Sequence, residues 1–160
     1  MEKNKLSQEI GELLKQKGLC LGAVESATGG LISHLITNIP GSSDYYKGSV
    51  TAYSNEIKMN VIGVKADTLE KYGAVSAQVA GEMAMEGRKV LDVDICIADT
   101  GIAGPGGATP DKAVGLFYLG LAEKSGALSQ RHKFYGDREQ NKQSAAEAAL
   151  GWLKEYLLEL

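Results

Sequence analysis

The stretch Val24-Glu25-Ser26-Ala27-Thr28-Gly29-Gly30 joins an apolar run, Leu21 to Val24, to an apolar-periodic segment that begins just after the glycines. An apolar run stopped by hydroxyls and glycines and followed by helical periodicity reads as strand, tight turn and helix start. Ser26 then stands where the strand stops. The amides of Thr28, Gly29 and Gly30 fall among the donors that a helix N-terminus leaves without intrahelical partners. Such donors attract anions, whether a phosphate or a developing oxyanion. Two readings of the serine follow: a nucleophile beside an anion site, or ordinary N-cap and turn chemistry.

On the N-terminal side, Leu6, Ile10, Leu13 and Leu14 predict an amphipathic helix over residues 5–17, stopped by Gly18, and Leu19 to Glu25 is the first strand. On the other side a helix runs to about Ile39, with Leu31, Ile32, Leu35 and Ile36 on one face and His34 on the surface. Gly48 to Tyr53 reads as a second strand. Ser54 is the N-cap of a short helix carrying Glu56 and Lys58 to Gly63. Ala66 to Tyr72 is a further short helix. Ser76 caps a longer one whose inner face is Val79, Met83, Val90 and Leu91. The strand Val93 to Ala98 runs into a second glycine-rich turn, Thr100-Gly101-Ile102-Ala103-Gly104-Pro105-Gly106-Gly107. Ala113 to Ala122 and Leu128 to Tyr135 make an antiparallel hairpin, and Asp137 caps a last helix to about Leu158. Helices and strands in this order predict an α/β protein, a three-layer α/β/α sandwich on a mixed sheet, as a single domain over residues 1–160.

Composition narrows the function. An apolar fraction of 44% and a charged fraction of 23% are those of a globular protein. Seventeen basic and twenty acidic residues, without a basic run, argue against a nucleic-acid partner. Met1 to Lys5 is polar and no apolar run approaches membrane-spanning length, so neither a signal peptide nor a membrane partner is expected, and a cytoplasmic location is. Cys20 and Cys96 read as reduced thiols in strand-like runs, and the isolated His34 and His132 give no local metal motif.

The chain has no Gly-x-Ser-x-Gly elbow, Ser-x-x-Lys, Walker loop or His-Glu-x-x-His, and Gly101, Gly104 and Gly106 lack the dinucleotide spacing. Two glycine turns at strand ends nevertheless suit one ligand pocket, because ligands of α/β sheets gather there. A serine nucleophile needs a base. Lys58 can serve if burial lowers its pKa, with Tyr53 relaying or polarising the proton; the other reading of Lys58 is a solvated helix lysine.

Glu25-Ser26-Ala27-Thr28-Gly29-Gly30, Tyr53-Ser54-Asn55-Glu56-Ile57-Lys58, Gly73-Ala74-Val75-Ser76 and Thr100 to Gly107, in this order, resemble the motifs of the CinA C-terminal domain over nearly the whole chain. That family includes the nicotinamide mononucleotide deamidases of pyridine nucleotide recycling, some members carrying the domain behind a larger N-terminal one; this chain is expected to be the stand-alone form. The resemblance implies a Ser/Lys amidohydrolase with Ser26 as nucleophile, Lys58 as base and Tyr53 assisting, without metal or cofactor. It implies that Thr100 and the loop through Gly101, Ala103 and Gly104 lie beside the substrate, and that Arg138 holds its phosphate. On this reading the amides of Thr28, Gly29 and Gly30 stabilise the oxyanion, Glu56 orients the network, and the protein is a homodimer. The alternatives are a nucleotide-binding module without turnover and an amidohydrolase of another carboxamide. Two positions depart from the family pattern: Asp99 is more polar than the residue expected there, and Ala113 stands where proline is expected.

Overall fold

The computed structural model describes residues 4–160; residues 1–3, part of the polar start and of the expected domain, lie outside the described residues. The chain runs α1 (Lys5–Lys17), β1 (Leu21–Glu25), α2 (Leu31–Thr37), β2 (Tyr46–Thr51) and α3 (Asn55–Ile57). After a π turn over Lys58–Ile62 come α4 (Ala66–Tyr72), α5 (Ala77–Leu91), β3 (Ile95–Gly101), β4 (Leu116–Glu123), β5 (Gly126–Lys133) and α6 (Arg138–Glu159).

The five strands form one sheet in the order β2-β1-β3-β4-β5. β1 is parallel to both β2 and β3, whereas β3, β4 and β5 pair antiparallel, so the sheet is mixed as expected. Every residue of β1 is buried, as a strand covered on both faces must be. One face carries α1, α2 and α6, whose Ile10, Leu14, Ile32, Ile36, Leu150 and Leu153 pack with Leu21, Ile95 and Leu119 of the sheet. The other face carries α5, whose Val79 and Met83 pack with Val24, Cys96 and Ala98. These two cores make the three layers. At Gly120 a side chain would collide with the Ala80 carbonyl, so this glycine lets α5 lie directly on β4.

The termini of the helices follow their sequence signals. Gly18 ends α1 in the left-handed conformation, and the side chains of Ser54, Ser76 and Asp137 accept the amides of Ile57, Val79 and Gln140. Asp137 and Gln140 complete a reciprocal capping box. Details differ from the sequence reading, among them β2 and β5, which each begin two residues earlier than expected. The helix from Ser54 changes to a π turn at Lys58, Val90 is half exposed rather than on the inner face of α5, and β4 begins only at Leu116 because Gly115 takes φ +91. Among the described residues no helix is long and apolar enough to cross a membrane.

The order of β1 between β2 and β3 matters most for the site. The chain leaves β1 for one neighbour and returns on the other side, which opens a crevice at the carboxyl ends of these parallel strands. Ser26 follows β1, Tyr53 follows β2, and Thr100 and Gly101 end β3.

Candidate active site

At that crevice Lys58 Nζ donates to Ser26 Oγ at 2.9 Å and to the Tyr53 carbonyl at 3.0 Å. Lys58 is only 2% exposed, because the π turn carries its side chain inward from the Ser54-capped helix start. Burial lowers its pKa, while the nearby Asp99 charge raises it; the net direction is down. An amine kept from charging by desolvation and hydrogen-bonded to a serine hydroxyl is a competent base for that hydroxyl.

The two residues line a cavity of about 400 Å³ together with Thr100, Gly101, Ala103, Gly104 and Arg138. Thr100 Oγ1 donates to the Ala74 carbonyl at 2.8 Å, which ties the second glycine loop to the segment before α5. Arg138, the first residue of α6, reaches the same cavity. Its guanidinium donates to the Gly104 carbonyl at 2.7 Å and to the Tyr53 hydroxyl at 3.2 Å, bridging the rim within one chain. Two of its five donors are thus engaged, and the rest are open to an anion.

The model of the CinA C-terminal domain family matches residues 3–157. The chain belongs to this family. A CinA-like protein of Thermotoga neapolitana is 44% identical over 159 residues, covering 99% of this chain and 39% of its own length, so this chain spans about two-fifths of such curated relatives. The crystal structure of a CinA superfamily protein from Klebsiella pneumoniae superimposes with a TM-score of 0.96 at 29% identity, covering 100% of both chains. A competence/damage inducible protein from Agrobacterium tumefaciens has a TM-score of 0.90 at 35% identity, covering 96% of this chain and 94% of that one.

Within this CinA domain the structure does not bring every candidate residue into the cavity. The Thr28 amide donates to Asp99 Oδ2 at 3.1 Å, and the Gly29 amide donates to the Ser26 carbonyl at 3.1 Å. Two further amides at the start of α2, those of Ile32 and Ser33, donate to Glu25 at 2.8 and 3.0 Å. The amides of Thr28, Ile32 and Ser33 therefore serve the chain's own carboxyl groups. Thr28, Gly29 and Gly30 line a separate cavity of about 660 Å³ with Lys142 of α6. Glu56 is exposed on α3 and lines neither cavity, so it does not orient the network. Tyr53 is 61% exposed, and it is its carbonyl, not its hydroxyl, that meets Lys58.

Asp99 is the residue that sequence reasoning underrated. Its side chain is wholly buried and accepts the amides of Ser26 at 3.0 Å and Thr28 at 3.1 Å. Burial pushes its carboxyl up to about 6, against the hydrogen bonds from Thr28 and the Ser26 amide, and the Glu25 charge pushes it the same way as burial. A charged residue inside an otherwise apolar strand run was the available signal. Ala74 and Val75 also line the cavity, and the sequence marked them only through the Gly73-Ala74-Val75-Ser76 resemblance.

Proposed function

We propose that the protein is a nicotinamide-nucleotide amidohydrolase, converting nicotinamide mononucleotide to nicotinate mononucleotide and ammonia. The observation that carries this is the 2.9 Å bond between Ser26 Oγ and the buried Lys58 amine. Neutral Lys58 takes the Ser26 proton as Oγ attacks the carboxamide carbon. The proton then passes to the departing nitrogen, which leaves as ammonia. Water next attacks the acyl ester, giving its proton to Lys58, and Ser26 leaves reprotonated. The oxyanion falls to the Ala27 amide, next after the nucleophile in the cavity wall, since the Thr28 and Gly29 amides are already engaged. The open donors of Arg138 suit the phosphate that distinguishes the nucleotide from free nicotinamide.

The test is ammonia release from nicotinamide mononucleotide by the parent and by Ser26→Ala, with nicotinamide as the phosphate-free control. Release by the parent alone, and from the nucleotide in preference, is the expected result. Saturable binding of the nucleotide without ammonia would instead make the protein a nucleotide-binding module.

A further inference from the structure

Thr28 Oγ1 lies 2.7 Å from Glu25 Oε1 and 2.5 Å from Asp99 Oδ1. A hydroxyl has one hydrogen and can donate to only one of these oxygens. If both carboxyls were ionised, the other contact would set an acceptor against an acceptor, out of reach of bulk solvent, because Glu25 and Asp99 are both fully buried. The arrangement closes when one carboxyl keeps a proton and donates to Thr28, which then donates onward. We propose that Glu25, Thr28 and Asp99 share a single proton, seated on Asp99, and that Asp99 is thereby a positioning residue, holding the Ser26 backbone in line with Lys58.

The ionisable groups coupled to Asp99 are Glu25, from the end of β1, and Lys58, from the π turn, while Tyr46 of β2 is coupled to Glu25 in turn. β4 sets Leu119 opposite Asp99, and the buried faces of α5 and α6 carry no ionisable side chain. Two carboxyls thus confront each other through one hydroxyl, and like charges so placed favour retention of one proton. Asp99 acts on Ser26 through the Ser26 amide, which it accepts at 3.0 Å, and through the Thr28 amide two residues on. Losing the shared proton would set like charges against each other at the base of the turn that carries Ser26.

The catalytic meaning of this rests on the proposed role of Ser26, but the proton count does not. Carboxyl ¹³C and amide ¹⁵N resonances, followed from pH 4 to 9 on the full chain, read it without turnover. Asp99 is expected to titrate above about pH 5.5, more than a unit above an ordinary aspartate. The Ser26 and Thr28 amides are expected to move with the same midpoint. An Asp99 midpoint below that value overturns the proposal, and so do amides that stay still while the carboxyl titrates. Thr28→Val supplies a test of sign. A hydroxyl that accepts from neutral Asp99 and donates to Glu25 supports the protonated state, so its loss lowers the midpoint. A hydroxyl that merely donates to an ionised Asp99 would, on removal, raise it; a raised or unmoved midpoint therefore counts against the shared proton. If the variant does not fold, the parent titration decides alone. A protein inactive on the nucleotide still gives these readings, so failure of the proton and failure of the amidohydrolase assignment are separable.

Discussion

The two glycine-rich turns look alike in sequence and do opposite things. The first, Thr28 to Gly30 after β1, turns its amides inward: Thr28 to Asp99, Gly29 to the Ser26 carbonyl. The second, Gly101 to Gly107 at the end of β3, contributes Gly101, Ala103, Gly104, Gly106 and Gly107 to the wall of the cavity that holds Ser26 and Lys58, and its Gly104 carbonyl anchors Arg138. The difference lies on the neighbouring strand. Asp99 stands beside the first turn, and its carboxyl takes the Thr28 amide that a ligand would otherwise take. A glycine turn at a strand end is an anion site only where the chain does not itself occupy the amides.

The contrast can be tested by substitutions on each side of it. The largest effect is expected from Lys58→Met, which keeps the stem and removes the base. Ammonia release should fall by about 10²–10⁴-fold, as loss of a general base does. In the parent the rate should fall toward acid pH as Lys58 becomes protonated. The same amine leaves a signature in stability. Its folded pKa lies below the ordinary 10.5, so between these values the unfolded chain binds the extra proton and stability rises with pH. Chemical denaturation of the variant across that window should show the rise diminished.

Next is Glu25→Gln, on the inward-facing side. An amide cannot accept from both Ile32 and Ser33 as the two carboxylate oxygens do, so unfolding should become easier by about 1–3 kcal/mol, read from denaturant midpoints. Arg138→Ala, on the cavity side, should show the complementary pattern. KM for the phosphate-bearing substrate should rise about tenfold or more, with little change in the denaturant midpoint. An Arg138 variant that lost stability without a change in KM would erase the distinction between the two turns. The smallest effect belongs to Glu56→Ala, where kcat/KM should stay within about twofold of the parent because the side chain is exposed outside both cavities.

Much of the architecture was legible because it is local. The spacing of Leu6, Ile10, Leu13 and Leu14 gives α1, Gly18 stops it, and Ser54, Ser76 and Asp137 announce three helix starts by their own hydrogen-bonding capacity. The hairpin was legible from its two strand patterns around Lys124 to Ala127, although its first strand was placed three residues too early. The pairing of Ser26 with Lys58, 32 residues apart, was open from residue chemistry alone, and only the ordered motifs favoured it over a solvated lysine. What the sequence did not disclose was tertiary. The π turn that carries Lys58 inward has no composition of its own, and the engagement of the Thr28 amide depends on Asp99, 71 residues away. Helix-start logic predicts free donors correctly for an isolated helix; in the fold the Thr28 amide goes to Asp99 of the neighbouring strand and those of Ile32 and Ser33 to Glu25 at the end of β1.

The strand order has a consequence for the chain during its synthesis. β1 is made before either of the strands that flank it, and the carboxyl that holds the Ser26 amide lies 73 residues farther along. Lys58 emerges earlier, but Arg138, 85 residues beyond Tyr53, completes the rim only when α6 begins. A growing polypeptide therefore carries its serine unaimed until β3 slides in beside β1. The Ser26 backbone is therefore held by Asp99 only once β3 has joined β1 at the centre of the sheet.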